Sequence, residues 1–163
     1  MTTSSGTVDG AWAKLAEQPV TEREAQMLTR YNLVAELPDD GRENTLLAMA
    51  RAEYALPHQL LRDFTLSRMR VLLKMSPVAA NRVALSYAKV MDRLPATAAM
   101  ARITLIQTLA REFTPEDEAL LREMNPGAFG GMPGVKPVAA ETRAPTPPPQ
   151  PEKKKGWGFL GRK

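Results

Sequence analysis

Few side chains in this sequence are of the kinds that make or break bonds, and those few stand apart. The single histidine, His58, directly follows Pro57. It could titrate near neutrality or act as a base. No serine, carboxylate or second histidine stands beside it at a telling spacing, so an ordinary surface histidine is the simpler reading. Cysteine is absent, which removes disulfides, thiolate ligands and a cysteine nucleophile. With one histidine, a zinc site would have to be built almost wholly from carboxylates, against the usual ligand chemistry of that ion. The densest acids, Glu116, Asp117 and Glu118, follow Thr114-Pro115. That places them in the first turn of a helix, where negative charge meets the helix dipole. Neither G-x-x-x-x-G-K-[S/T] nor G-x-G-x-x-G occurs. The expectation is a chain that is not an enzyme, with no catalytic residue, metal or cofactor.

The residues best suited to binding lie at the end. Residues 152–163 read Glu-Lys-Lys-Lys-Gly-Trp-Gly-Phe-Leu-Gly-Arg-Lys. They pair cations (Lys153, Lys154, Lys155, Arg162, Lys163) with large apolar groups (Trp157, Phe159, Leu160) on a glycine-spaced backbone. A groove on a partner protein could take the three apolar residues as anchors, with the lysines steering the encounter toward an acidic rim. An anionic membrane is a second receiving surface, since lysines near it contribute about 1 kcal/mol each and tryptophan favours the interface. Single-stranded nucleic acid is a third, with lysines on phosphates and aromatics on bases. The glycines argue against a regular amphipathic helix. The peptide also looks like the terminal signals that load cargo into protein shells, a resemblance confined to this last dozen residues. It implies, as an alternative, a cargo protein addressed by its C-terminus. Upstream, Pro148 to Lys153 matches the PxxPx[K/R] pattern read by polyproline grooves, a match that proline-rich linkers produce readily by chance.

The net charge of +4 and the basic pI of about 9.6 invite a nucleic-acid reading. Their distribution does not support one for the folded part. From Pro126 onward seven cations face two acids, giving the tail +5; residues 1–125 carry about −1. The run Arg62, Arg68, Arg70 and Lys74 is flanked by Asp63. A recognition helix over residues 77–91 would offer mainly Arg82 and Lys89 to phosphates, too few for tight binding.

Prolines fall at 19, 38, 57, 77, 95 and 115, spaced by 18 to 20 residues. Proline is tolerated in a helix's first turn and breaks its interior, so the spacing reads as punctuation between helices of similar length. Ser76-Pro77 and Thr114-Pro115 pair an N-cap with proline at the first helical position. Thr21 and Glu24 fit a capping box, and Asp39-Asp40-Gly41 reads as a turn between helices. Ala80, Val83, Ala84, Tyr87 and Met91 share one helical face. The segment Met100 to Leu109 is apolar on several sides, which predicts the central, most buried helix. Residues 57–76 form one helix or break near Thr65.

The expected fold is therefore all-α: six or seven short helices in a compact antiparallel bundle, with a helical-repeat-like stack as the alternative. The divisions are a flexible N-terminus over 1–7, a helical domain over 8–125, a Pro/Gly-rich disordered linker over 126–151 and the docking motif over 152–163. Without an apolar run after a basic N-terminus or a stretch near the roughly 18 residues of a membrane span, the expected place is the cytoplasm, with the membrane periphery as the alternative if the tail meets anionic lipid. The functional expectation is an adaptor or scaffold whose bundle binds a partner or itself, forming a homo-oligomer in the latter case. The alternative from another class is a nucleic-acid accessory protein using the basic aromatic tail.

Overall fold

The computed structural model describes residues 5–129 of the 163. Seven α-helices account for most of them: α1 (Ser5–Lys14), α2 (Val20–Ala35), α3 (Asp39–Tyr54), α4 (His58–Lys74), α5 (Pro77–Met91), α6 (Ala96–Ala110) and α7 (Pro115–Glu123). A short 3-10 turn, Leu15–Glu17, links α1 to α2. No strand occurs among the described residues. The all-α bundle is as the sequence predicts, and residues 57–76 hold one unbroken helix.

The prolines punctuate as expected, by two different means. Pro77 and Pro115 sit in the first helical turn behind Ser76 and Thr114, whose hydroxyls accept from Ala79 N (3.3 Å) and Asp117 N (3.2 Å). Pro19, Pro38, Pro57 and Pro95 instead occupy the N-cap itself, with φ near −54° and ψ between 140° and 155°. Proline's ring fixes that φ, and each proline carbonyl accepts the first helical bond, from Arg23, Arg42, Leu61 and Ala99 N respectively. The recurring Leu-Pro has a mechanical reading. Leu37, Leu56 and Leu94 each close the preceding helix with a three-residue backbone bond, and the proline that follows opens the next.

Two local expectations are corrected. Thr21 and Glu24 form no capping box, because α2 begins two residues earlier than that pattern implies, with Pro19 in place of Thr21 as its cap and no side chain capping it. Glu24 turns instead to Lys74 (2.8 Å) and Arg70 (3.5 Å) on α4. Asp39, Asp40 and Gly41 are not a separate turn but the first turn of α3, where the two acids meet the helix dipole.

Helices pack chiefly against those two places away in sequence. α1 lies on α3 and α3 on α5, while α2 lies on α4 and α4 on α6 and α7; α2 joins the two rows through α5. One continuous core runs from Trp12 to Ala98 and holds Met27, Tyr31, Leu46, Met49, Phe64, Leu72, Val83 and Val90. Each such side chain contributes about 1.5–3 kcal/mol by leaving water. A smaller core of Met69, Ile106, Leu109, Leu121 and Ala128 joins α4, α6 and α7.

The central helix is α4, not α6. Phe64, Thr65, Ser67, Arg68, Met69, Val71 and Leu72 of α4 are all buried. α6 buries only Ala98, Arg102, Ile106, Leu109 and Ala110, and leaves Met100 61% exposed. Apolar content alone misled here, because α4 buries its polar residues against partners that the sequence does not reveal.

Candidate functional site

Those partners form a polar centre to which each of the first six helices gives one residue: Trp12, Tyr31, Glu53, Arg68, Tyr87 and Arg102. Glu53 is the hub. Its Oε1 accepts from Trp12 Nε1 at 3.1 Å and its Oε2 accepts from Arg102 Nη1 at 2.6 Å. Arg68 Nη1 lies 3.9 Å from the same Oε2. The hydroxyls of Tyr31 and Tyr87 are hydrogen-bonded at 2.9 Å. Arg102 and Arg68 lie over the Tyr87 ring, 4.5 and 5.5 Å from its centroid. Trp12 meets Tyr31 and Phe64 edge to face at 5.3 and 5.4 Å, geometries that favour aromatic pairs.

Electrostatically this centre holds one carboxylate against two guanidiniums. Burial pushes the Glu53 carboxyl above its usual range, although Arg68 and the Trp12 N–H both pull it down. Burial also raises both tyrosines. For Arg68 burial alone would lower the pKa, but Glu53, Tyr31 and Tyr87 oppose it and the net direction is upward. Arg68 is 1% exposed, and its Nε and both Nη atoms have no hydrogen-bond acceptor. Such a buried charge costs stability unless it is paired, so the ion pair with Glu53 and the Tyr87 ring face are what hold it. A small cavity of about 20 Å³ adjoins the centre, lined by Tyr87, Arg102, Ile106 and residues 125–128. The centre is enclosed, and its arrangement ties six helices together without presenting a reactive group to solvent.

Residues 125–129 close over this cavity. Gln107 Nε2 donates to the Ala128 carbonyl at 2.6 Å, Asn125 Nδ2 donates to the Leu121 carbonyl at 2.7 Å, and Arg122 stacks on the Phe129 ring at 4.7 Å. Proline and glycine content group residues 126–129 with the linker, yet Ala128 is buried in the second core. The bundle thus continues to Phe129.

The sequence-derived binding residues Lys153, Lys154, Lys155, Trp157, Phe159, Leu160, Arg162 and Lys163 lie outside the described residues, as does the proline run 145–151. The remaining candidates are all placed. His58 is exposed at the start of α4. Glu116, Asp117 and Glu118 occupy the first turn of α7. The α4 cations are matched to acids: Arg62 to Glu112 (2.6 Å), Arg68 to Glu53, Arg70 and Lys74 to Glu24. On α5, Lys89 meets Glu43 at 2.8 Å and Arg82 meets Glu36 at 3.5 Å. No group of acids and histidine with metal-holding proximity occurs among the described residues. No described helix is long and apolar enough to cross a membrane.

The polar centre went unseen in the sequence because its members come from six helices at irregular separations. One signal was available: Arg68 and Glu53 fall at positions where helical periodicity demands an apolar residue. No protein-family model, curated protein or solved structure matches this chain.

Proposed function

We propose that this chain is a non-enzymatic adaptor, in which the helical bundle carries a C-terminal segment that docks on a second protein. Trp157, Phe159 and Leu160 are the anchors, and Lys153, Lys154 and Lys155, with Arg162 and Lys163, steer the encounter. The observation that carries the reading is the composition of residues 152–163, five cations and three large apolar groups in one short stretch. The bundle supports it by contrast. Its clustered cations sit on carboxylates, and its one concentrated polar group faces inward.

The test compares the full chain, fused to a fluorescent reporter in its native cell, with two variants. One carries Trp157→Ala and Phe159→Ala; the other ends at residue 151. Concentration of the intact chain in discrete foci, lost in both variants, is the expected result. Gathering along the membrane would transfer the role to an anionic lipid surface, and gathering over the nucleoid to nucleic acid. Diffuse signal from all three would end the docking reading.

A further inference from the structure

The polar centre holds more positive charge and more donors than its own groups can satisfy. Arg68 and Arg102 face one carboxylate, Glu53, and both reach the same oxygen, Oε2, at 3.9 and 2.6 Å. With both phenols protonated, the centre is left with one net positive charge. Arg68 is 1% exposed, and none of its three nitrogens has an acceptor. Arg102 gives Nη1 to Glu53, while its Nε and Nη2 have no acceptor among the described residues. Whichever phenol donates in the Tyr31–Tyr87 bond, the other keeps a hydrogen to give. The cavity beside this group has a volume of about 20 Å³, room for one water-sized body and too little for a polyatomic anion such as phosphate. Among the described residues that line it, Arg102 alone is charged, and Glu53 is not on its wall. Tyr87 forms part of the wall, and the Arg68 guanidinium lies 5.5 Å from the centre of that ring.

We propose that this cavity is a binding site for one monatomic anion of the chloride type, held by Arg102 and Tyr87 with the charge of Arg68 close behind. In a region closed to water an uncompensated charge is costly, and an opposite charge a few ångströms away offsets much of that cost. A water molecule could accept the spare hydrogens, but it brings no charge. A halide does both, because it only accepts and can meet several donors at once. The segment over residues 125–128 closes the site, fastened by the 2.6 Å bond from Gln107 Nε2 to the Ala128 carbonyl. Lifting that segment is the short way in. The anion thus becomes a sixth-helix counterpart to Glu53: one negative group serves each end of the Arg102 guanidinium. The proposal is independent of the docking reading, since nothing in it involves residues 152–163.

The test is urea unfolding of the full chain in sodium chloride against sodium gluconate at constant ionic strength. Gluconate is too large for the cavity and stands for general screening. The folded-to-unfolded ratio should rise with chloride, by about tenfold for each tenfold of concentration above the dissociation constant. Arg102→Met should abolish that rise, whatever it does to stability in gluconate. Gly127→Leu should abolish it by filling the cavity, since a Cβ at Gly127 starts 3.5 Å from Ala88 and Met91, both on the wall. Arg93→Met, outside the centre, should keep the rise in full. The loss that Glu53→Gln causes in chloride-free buffer should shrink as chloride is added, because the ion is then the one negative charge facing both guanidiniums. A wild type equally stable in the two salts would overturn the proposal and leave water as the occupant. A chloride response of unchanged size in Arg102→Met, or in Gly127→Leu, would also overturn it, since the ion would then bind elsewhere.

Discussion

Tyr31 on α2 and Tyr87 on α5 share a hydrogen bond of 2.9 Å between their hydroxyls, closed off from water beside Arg68 and Glu53. Burial raises both phenols above the ordinary tyrosine value; the Glu53 carboxylate adds to the rise, and Arg68 opposes it. A raised folded pKa contributes stability that is fully present below the unfolded pKa and is lost as pH climbs past it. The unfolded phenols titrate near pH 10, so above that point the folded state holds more protons. Stability should then fall by up to about 1.4 kcal/mol per pH unit for each phenol. Urea denaturation from about pH 8 to about pH 11.5 should show this downturn. Tyr31→Phe should flatten it, and should lower neutral stability by about 1 kcal/mol through the lost hydrogen bond.

Glu53 and Arg68 should behave as a unit. Glu53→Gln leaves two guanidiniums without an anion inside the bundle and should destabilise it by about 3–5 kcal/mol. Arg68→Met alone should be milder, because Arg102 still serves the carboxylate. Combining the two should recover only part of the loss, because Arg102 still lacks the carboxylate that holds it. A double-mutant cycle in urea at neutral pH measures the coupling. Additive losses would mean that the two groups do not act as a pair.

The caps offer a contrast within one experiment. Thr114→Ala removes a bond to Asp117 N and should cost about 1 kcal/mol, with faster hydrogen exchange in α7 ahead of the rest. Ser76→Ala should cost a similar amount at the start of α5. Thr21→Ala should change stability by less than about 0.5 kcal/mol, because the capping box that its sequence suggests is not made.

The closing segment after α7 can be probed at two positions. Phe129→Ala removes the ring under Arg122 and part of the second core, and should cost about 1–2 kcal/mol with local loosening of α7 measured by hydrogen exchange. Gly127→Ala should be tolerated, since an added Cβ would meet Ala88 Cα and Met91 Cγ at an ordinary 3.5 Å.

What the sequence made legible was spacing. Six prolines and three Leu-Pro endings locate the helix boundaries because their effect is local: a fixed φ and a missing donor act wherever the chain lies. What remained hidden depends on neighbours brought from far along the chain. Arg68 reads as part of a basic run until Glu53, fifteen residues earlier, and Arg102, on another helix, are seen beside it. The exchange of roles between α4 and α6 has the same origin. The apolarity of α6 suggests burial on all sides, yet Met100 is 61% exposed, because apolar content alone does not fix which face a neighbour covers. For residues 152–163 the reading rests on composition, since they lie outside the described residues.

Trp12 is 1% exposed, with its ring between Tyr31 and Phe64 and its N–H held by Glu53. The chain's only other indole is Trp157. A small polar quencher cannot reach Trp12 while the bundle is folded. The emission of Trp12 changes only when the bundle opens. The molecule therefore carries two indoles of different standing, one locked inside the bundle and reporting its folding, the other in the C-terminal sequence.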